Sequence, residues 1–128
     1  MTTPTVAPQP GDAILVVKDP WIDWLLDGTK SLELRGTRCH KPDGARIYLS
    51  RSGTGEVHGC VTFHGMLGPL TRDELEALKP LHRVSEVASI TYAHTYAWIF
   101  TDPVCFEAPI PYHVKRGSIT WRIFSPRS

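Results

Sequence analysis

The apolar period of this chain changes once, abruptly, between Asp19 and Arg35, and that change limits the folds open to it. The stretch reads D-P-W-I-D-W-L-L-D-G-T-K-S-L-E-L-R. Its first half has helical spacing: Trp21, Trp24 and Leu25 stand at i, i+3 and i+4, and Ile22 and Leu26 widen the apolar face. Asp19 is the expected N-cap, Pro20 suits the first helical position because no amide is missed there, and Gly28 supplies the left-handed residue that closes the helix. A helix of about two turns does not persist alone in water, so its tryptophans must dock on something larger.

The second half has strand spacing. Leu32 and Leu34 alternate with Ser31, Glu33 and Arg35, so the leucines are expected on a buried face and Glu33 and Arg35 on the opposite, polar one. Lys30 stands at the corner, where a long cation can swing over that polar face. Two readings follow. One is an exposed strand with a weak Glu33–Arg35 pair, worth about 0–1 kcal/mol. The other is a cluster of three charges of mixed sign, gathered beside the tryptophan-bearing helix to hold a ligand. Spacing leaves both open.

Beyond this stretch, strands outnumber helices. Ala13 to Val17, Arg46 to Ser50 and Val57 to Phe63 have strand length and composition; Ile47 and Leu49 face one side, Tyr48 the other, and Gly59 marks a close backbone approach. Tyr96 to Phe106 is a long apolar strand broken at Asp102–Pro103, where a bulge, a bend or a sheet edge is expected. Ser118 to Phe124 closes the sheet, setting Ile119, Trp121 and Ile123 against Thr120, Arg122 and Phe124. Thr71 and Glu74 have capping-box spacing, with Leu75 and Leu78 facing the core and Pro80 following the helix end. A further short helix is expected near residues 85–89. No strand–helix rhythm is long enough for parallel crossovers. The pattern gives an α+β fold, a small mixed or antiparallel β-barrel with two or three short helices on its rim. Residues 1–12, rich in threonine and proline, are expected to be a flexible tail before a domain at 13–125.

The run P-W-x-x-W-L-L-x-G-x-K-x-x-E-x-R, from Pro20 to Arg35, resembles the signature of ASCH domains, which belong to the PUA-like barrels. Arg46 to Ser50 with Val57 to Phe63 is similar to two of that family's barrel strands, and Tyr96 to Pro111 with Gly117 to Phe124 to its C-terminal strands. The resemblance covers about residues 13 to 124. It implies a pocket lined by Pro20, Trp21, Lys30, Glu33 and Arg35, with Ser50 and Arg51 nearby, in a reader of RNA or of altered bases. Some ASCH relatives instead hydrolyse acetylated cytidine, and others cleave RNA. In the hydrolases the motif lysine is followed three residues later by a threonine nucleophile, with a distant glutamate as helper. Here Lys30 matches, but Glu33 stands at the threonine position, and the nearest acid, Glu74, reads as a capping residue.

Composition narrows the partners. The chain has 128 residues, 41% of them hydrophobic and 21% charged, enough for a real core. A net charge of +1 supplies no global field, so a nucleic-acid site must be a local cleft. Three widely spaced cysteines, Cys39, Cys60 and Cys105, make no disulfide framework and favour a reducing compartment. No apolar run reaches the ~18 residues of a membrane span, and the expected location is the cytoplasm.

The chemistry therefore rests on few groups. Arg35 can pair with Glu33 and present its remaining donors to a phosphate or a base edge. Glu33 can accept from an exocyclic amine or remove a proton. Lys30 offers a mobile charge or, desolvated, a base; Trp21 or Trp24 can stack a base, although core packing is the plainer role for Trp24. Arg38, Lys41, Arg51, Lys115 and Arg116 are candidates for a basic rim. His58, Cys60 and His64 share a strand face on paper, yet the histidines and cysteines lack metal-site spacing, and no metal or other cofactor is expected. The expected partner is RNA or single-stranded nucleic acid, or a nucleoside. The alternatives are a hydrolase, either a ribonuclease or an amidohydrolase on acylated cytidine with Lys30 and Glu33 catalytic, and a protein-interaction domain.

Overall fold

The computed structural model of the chain describes residues 6–115 and 120–127. Among these residues, six strands form one sheet: β1 (Ala13–Val17), β2 (Leu32–Arg35), β3 (Arg46–Arg51), β4 (Glu56–Leu67), β5 (Tyr96–Pro111) and β6 (Trp121–Ile123). Their order is β2-β5-β4-β3-β1-β6. The sheet curls into a half-barrel, accompanied by α1 (Trp21–Leu26), α2 (Arg72–Ala77), α3 (Lys79–His82) and a single 3-10 turn at Val87–Ser89. The α+β class, the mixed sheet and the short helices match expectation. One pair departs from the antiparallel rule: β1 runs parallel to β3, and the crossover between them carries α1 and β2.

Both faces of the central strands are buried. Leu15 and Val17 of β1, Ile47 and Leu49 of β3, and Val61 and Phe63 of β4 meet Ile22, Leu25 and Leu26 of α1 in the main cluster, with Trp98 and Phe100 of β5. Ile14, Tyr48, Cys60, Tyr112 and Phe124 form a second cluster, so Tyr48 faces away from Ile47 and Leu49 as its spacing predicts. Between Leu49 and Ser50 the register slips, Leu49 pairing with Gly59 but Ser50 with Val57. The extra residue, His58, is a bulge, and it carries Val57 into the second cluster. A third cluster joins Leu32, Leu34 and Ala97 to Leu75 of α2 and to Val87.

Two backbone features fall where close packing or the strand break requires them. A Cβ added to Gly59 would lie 2.2 Å from the Val104 carbonyl oxygen and 2.6 Å from Leu26 Cδ2, so only glycine lets β5 and α1 close on β4 there. The break at Asp102–Pro103 is a bulge inside a continuous β5: Asp102 has φ +51°, and three residues of β5 span the distance that two of β4 cover between Cys60 and Thr62. It is not a sheet edge, since β5 lies between β2 and β4.

Two local expectations need correction. Asp19 does not cap α1: Pro20 occupies the N-cap with no side-chain hydrogen bond, and Asp19 pairs with Arg51 instead. The Ile22 amide is already taken by the Lys18 carbonyl at 3.1 Å and Arg51 reaches across from β3, so the ion pair takes the carboxylate. Pro80 does not simply follow a helix end; it enters the first turn of α3, where its missing amide costs nothing. The expected alternation in β6 holds where it is described: Trp121 packs against the main cluster, Arg122 and, just past the strand, Phe124 meet the second, and Ile123 is 66% exposed. The beginning of that predicted strand, Ser118 and Ile119, lies outside the described residues. Before β1, Val6 packs against the second cluster and the Gly11 amide donates to the Phe124 carbonyl at 2.9 Å.

Candidate functional site

The corner between α1 and β2 is held from three sides. The Lys30 amide donates to the Trp24 carbonyl at 3.0 Å, the Ser31 amide to the Leu81 carbonyl at 3.0 Å, and the Ser31 carbonyl accepts from the Phe100 amide at 2.9 Å. β2 then pairs with β5 so that Glu33 stands opposite Trp98. Trp98 belongs to the main cluster, so the polar face of β2 turns into the half-barrel while Leu32 and Leu34 pack under α2. The reading of β2 as an exposed strand with a weak surface pair is thereby overturned: Glu33 is 5% exposed and Lys30 2%.

These charges form a connected set. Glu33 Oε2 accepts from Arg35 Nε at 3.0 Å and from Arg35 Nη2 at 2.8 Å. Glu33 Oε1 lies 3.7 Å from Lys30 Nζ. Arg35 Nη2 also donates to the Val16 carbonyl of β1 at 3.1 Å, and its guanidinium sits 5.7 Å from the centre of the Trp98 ring. Lys30 is not the mobile cation the sequence led us to expect, because its ammonium donates to the His82 carbonyl at 2.5 Å and lies 5.1 Å from the Trp21 ring centre. Burial pulls the Lys30 pKa down to about 8, against the nearby Glu33 carboxylate, which favours the charged form.

His82 supports this arrangement from behind. Its ring is fully buried, with Nε2 2.7 Å from the Leu75 carbonyl and Nδ1 accepting from the Val84 amide at 2.9 Å. Nδ1 as acceptor leaves Nε2 as the donor, which makes the ring neutral. Burial holds its pKa below the ordinary value.

A cleft of about 490 Å³ opens beside Lys30, Glu33 and Arg35, with Trp21 on its wall. Val16, Lys18, Leu34, Ser52 and Thr120 complete one part of the lining, and Val84, Ser89, Ile90, Thr91 and Tyr92 another. Pro20 starts α1 and does not line it. Nor does Ser50, which the resemblance set near the pocket: it is buried beside the second cluster, where its hydroxyl accepts from Tyr112 at 2.9 Å, and the nearby Ser52 lines the cleft instead. Arg51 is taken up by Asp19 and by Asp23, the latter at 2.7 Å. Arg38 and Lys41 lie over the Tyr96 and Trp121 rings at 5.1 and 5.0 Å, and Lys115 is exposed away from the lining. The expected basic rim therefore does not converge among the described residues; Arg116 lies outside them. Trp24 is half-buried beneath the Arg83 guanidinium, 3.8 Å from its ring centre, rather than in the core.

The short helix expected near residues 85–89 is the 3-10 turn at Val87–Ser89, but sequence reasoning did not place the surrounding segment, Val84 to Tyr92, on the cleft, since its one signal is an aromatic residue amid small ones. Among the described residues no group of three histidine, cysteine, aspartate or glutamate side chains is placed to hold a metal ion. The proposed His58, Cys60 and His64 face dissolves because His58 is the bulge, Cys60 points into the second cluster and His64 pairs with Asp43 at 3.2 Å. All three cysteines are free, and no described helix is long and apolar enough to cross a membrane.

No family model and no curated protein matches the sequence. Solved structures do. An ASCH mutant protein from Zymomonas mobilis superposes with a TM-score of 0.72 at 15% identity, over 93% of this chain and 92% of that one. The ASCH protein of the same organism without that substitution superposes with a TM-score of 0.65 at 17% identity, over 79% of this chain and 73% of that one. The fold is that of an ASCH domain. On this ASCH fold, Glu74 has the capping role its spacing predicts: its carboxylate accepts from the Thr71 amide at 2.8 Å, and its own amide donates to the Thr71 hydroxyl at 3.1 Å. It does not line the cleft beside Lys30, so the helper acid of the acetylcytidine hydrolases has no counterpart at Glu74.

Proposed function

We propose that this chain binds single-stranded nucleic acid, RNA or DNA, by taking one unpaired base into the cleft beside Lys30, Glu33 and Arg35. The observation that carries the reading is the Glu33 carboxylate, nearly buried, with Oε2 committed to Arg35 and Oε1 lying 3.7 Å from Lys30. An oxygen held in this way is an acceptor for the exocyclic amine of a base, and the cations on either side offer donors to its ring acceptors. The half-buried Trp21 supplies a face for stacking, worth about 1–3 kcal/mol per base. A cleft of about 490 Å³ has the size of pockets that enclose small organic ligands. Lys18 brings a further cation to the lining for the backbone phosphate. A base paired in a duplex cannot present its edge and a free face together, which makes the single strand the ligand.

Titration of the intrinsic tryptophan fluorescence with a single-stranded RNA, the matching DNA and the corresponding duplex tests this. Saturable binding of the single strands, weakened by salt and by Glu33→Gln, is the expected result. No response to any single-stranded sequence would remove the proposal.

One observation favours a second reading, a hydrolase acting on RNA or on an acylated nucleoside. A general base works best when its pKa lies near the working pH, and the buried Lys30, at about 8, meets that condition beside the Glu33 carboxylate. Incubation with labelled RNA and with acetylated cytidine distinguishes the readings: product that is lost in Lys30→Met supports hydrolysis, and intact substrates exclude it.

A further inference from the structure

Tyr92 lies in the segment between the 3-10 turn and β5 and lines the cleft, yet it is 49% exposed. Its neighbour across the chain is Gly36, the residue directly after Arg35. A Cβ built on Gly36 would lie 2.6 Å from Tyr92 Cδ1, 3.0 Å from Cγ and 3.3 Å from Cε1, and these ring atoms are its three nearest contacts. Gly36 does not have a positive φ, so its backbone is one that any residue adopts. What requires glycine there is the Tyr92 ring.

Burial does not account for that seat. A ring left half in water gains only part of its apolar transfer energy, and a small side chain at residue 36 with the ring swung outward would serve packing equally well. The seat does fix where the ring stands: against the backbone that follows Arg35, in the lining that also holds Trp21, Glu33 and Thr91. Trp21 is anchored in α1, where its ring meets Trp24 edge-on at 5.4 Å. The cleft thus has one aromatic ring on a helix and a second on a loop, the second positioned by the absence of a side chain.

We infer that Tyr92, seated on Gly36, is a second base-contacting residue of the cleft, and that Gly36 is its positioning residue. The inference rests on the nucleic-acid reading above. The ligand it fits is an unpaired base whose faces are both free, because a base stacked within a duplex has no face left for a tyrosine. Aromatic contact tolerates any base, so Tyr92 adds affinity without choosing sequence, while the Glu33 edge does the choosing.

A double-mutant cycle read by fluorescence titration with a single-stranded RNA tests the assignment. Tyr92→Ala should weaken binding about tenfold, within the range that stacking one base carries, and Tyr92→Phe should retain most of the affinity. Gly36→Ala should weaken binding in the wild-type background and have no further effect in Tyr92→Ala, because its only action is to displace the ring. Thermal melts check that each variant folds; the half-exposed Tyr92 is not needed for the core. Wild-type affinity in Tyr92→Ala, or an equal loss from Gly36→Ala in both backgrounds, would overturn the assignment alone. Failure of the wild-type chain to bind any single strand would instead overturn the reading of the cleft on which it rests.

Discussion

The ammonium of Lys30 donates to the backbone carbonyl of His82, 52 positions along the chain, at 2.5 Å. That bond joins the corner of α1 and β2 to the end of α3, and burial at this junction lowers the pKa of both residues.

Lys30 has a pKa of about 8 when folded, against an ordinary value of 10.5. Between these two values the unfolded chain holds a proton that the folded chain lacks, so stability rises with pH across that window. The whole gain is on the order of 3 kcal/mol. Below the folded value both states carry the charge and the burial cost is fully present. Lys30→Met should therefore lose the rise. Urea unfolding of both proteins at about pH 7.5 and about pH 9.5 measures it; equal slopes would show that the lysine is not the source.

The His82 pKa is lowered from 6.5, first by burial and further by Lys30 and Lys79. As pH falls below 6.5 the unfolded chain takes up a proton that the folded ring resists, and stability is lost. A protonated ring would also have to give up accepting from the Val84 amide. His82→Gln should be less stable near neutral pH by about 1–3 kcal/mol, yet lose less on acidification, as followed by thermal melts in the two conditions.

Arg35→Ala should act on fold and binding together. It removes both bonds to Glu33 and the bond to the Val16 carbonyl, leaving Glu33 with Lys30 as its nearest cation. If Arg35 also meets a phosphate, the dependence of binding on salt should become shallower by about one charge. Affinities measured across a salt series, beside urea melts, separate the two effects.

Gly59→Ala should be among the most damaging single changes. Its Cβ would meet the Val104 carbonyl oxygen at 2.2 Å, a backbone atom inside a central ladder that cannot rotate away. A loss of about 3 kcal/mol or more is expected, read as a shift in the urea midpoint. Gly53→Ala is a useful contrast: nothing lies within 4 Å of the added atom, and only the strain of its positive φ remains.

The fold was legible because the signals that set it are local. The change of period at Gly28, the capping box of Thr71 and Glu74, the alternation in Arg46 to Ser50 and the break at Asp102–Pro103 each depend on neighbours within a few residues. The candidate site was only half legible for the opposite reason. Lys30, Glu33, Arg35 and Trp21 come from one continuous stretch and do meet at the cleft. Whether Glu33 faced water or the interior was decided by which strand β2 paired with, a relation some sixty positions distant and invisible to spacing. Ser50 follows the alternation of β3 and faces the second cluster with Tyr48, while Arg51 is drawn to Asp19 and Asp23 on and beside α1, so neither reaches the cleft that the resemblance set them near. Tyr92 and Gly36 escaped altogether, since a ring resting on a glycine is a contact between two loops with no period of their own.

The sheet order ends at β2 on one side and β6 on the other, and among the described residues no ladder joins the two. What spans the gap is made of side chains: Arg35 reaching the Val16 carbonyl, and Trp98 stacked on Trp121 at 5.8 Å. Val16, Leu34, Arg35 and Thr120 of the cleft all border this seam. Side chains rather than backbone pairing therefore hold this border of the half-barrel, and replacing Arg35 or Trp121 would loosen it without breaking a strand pair.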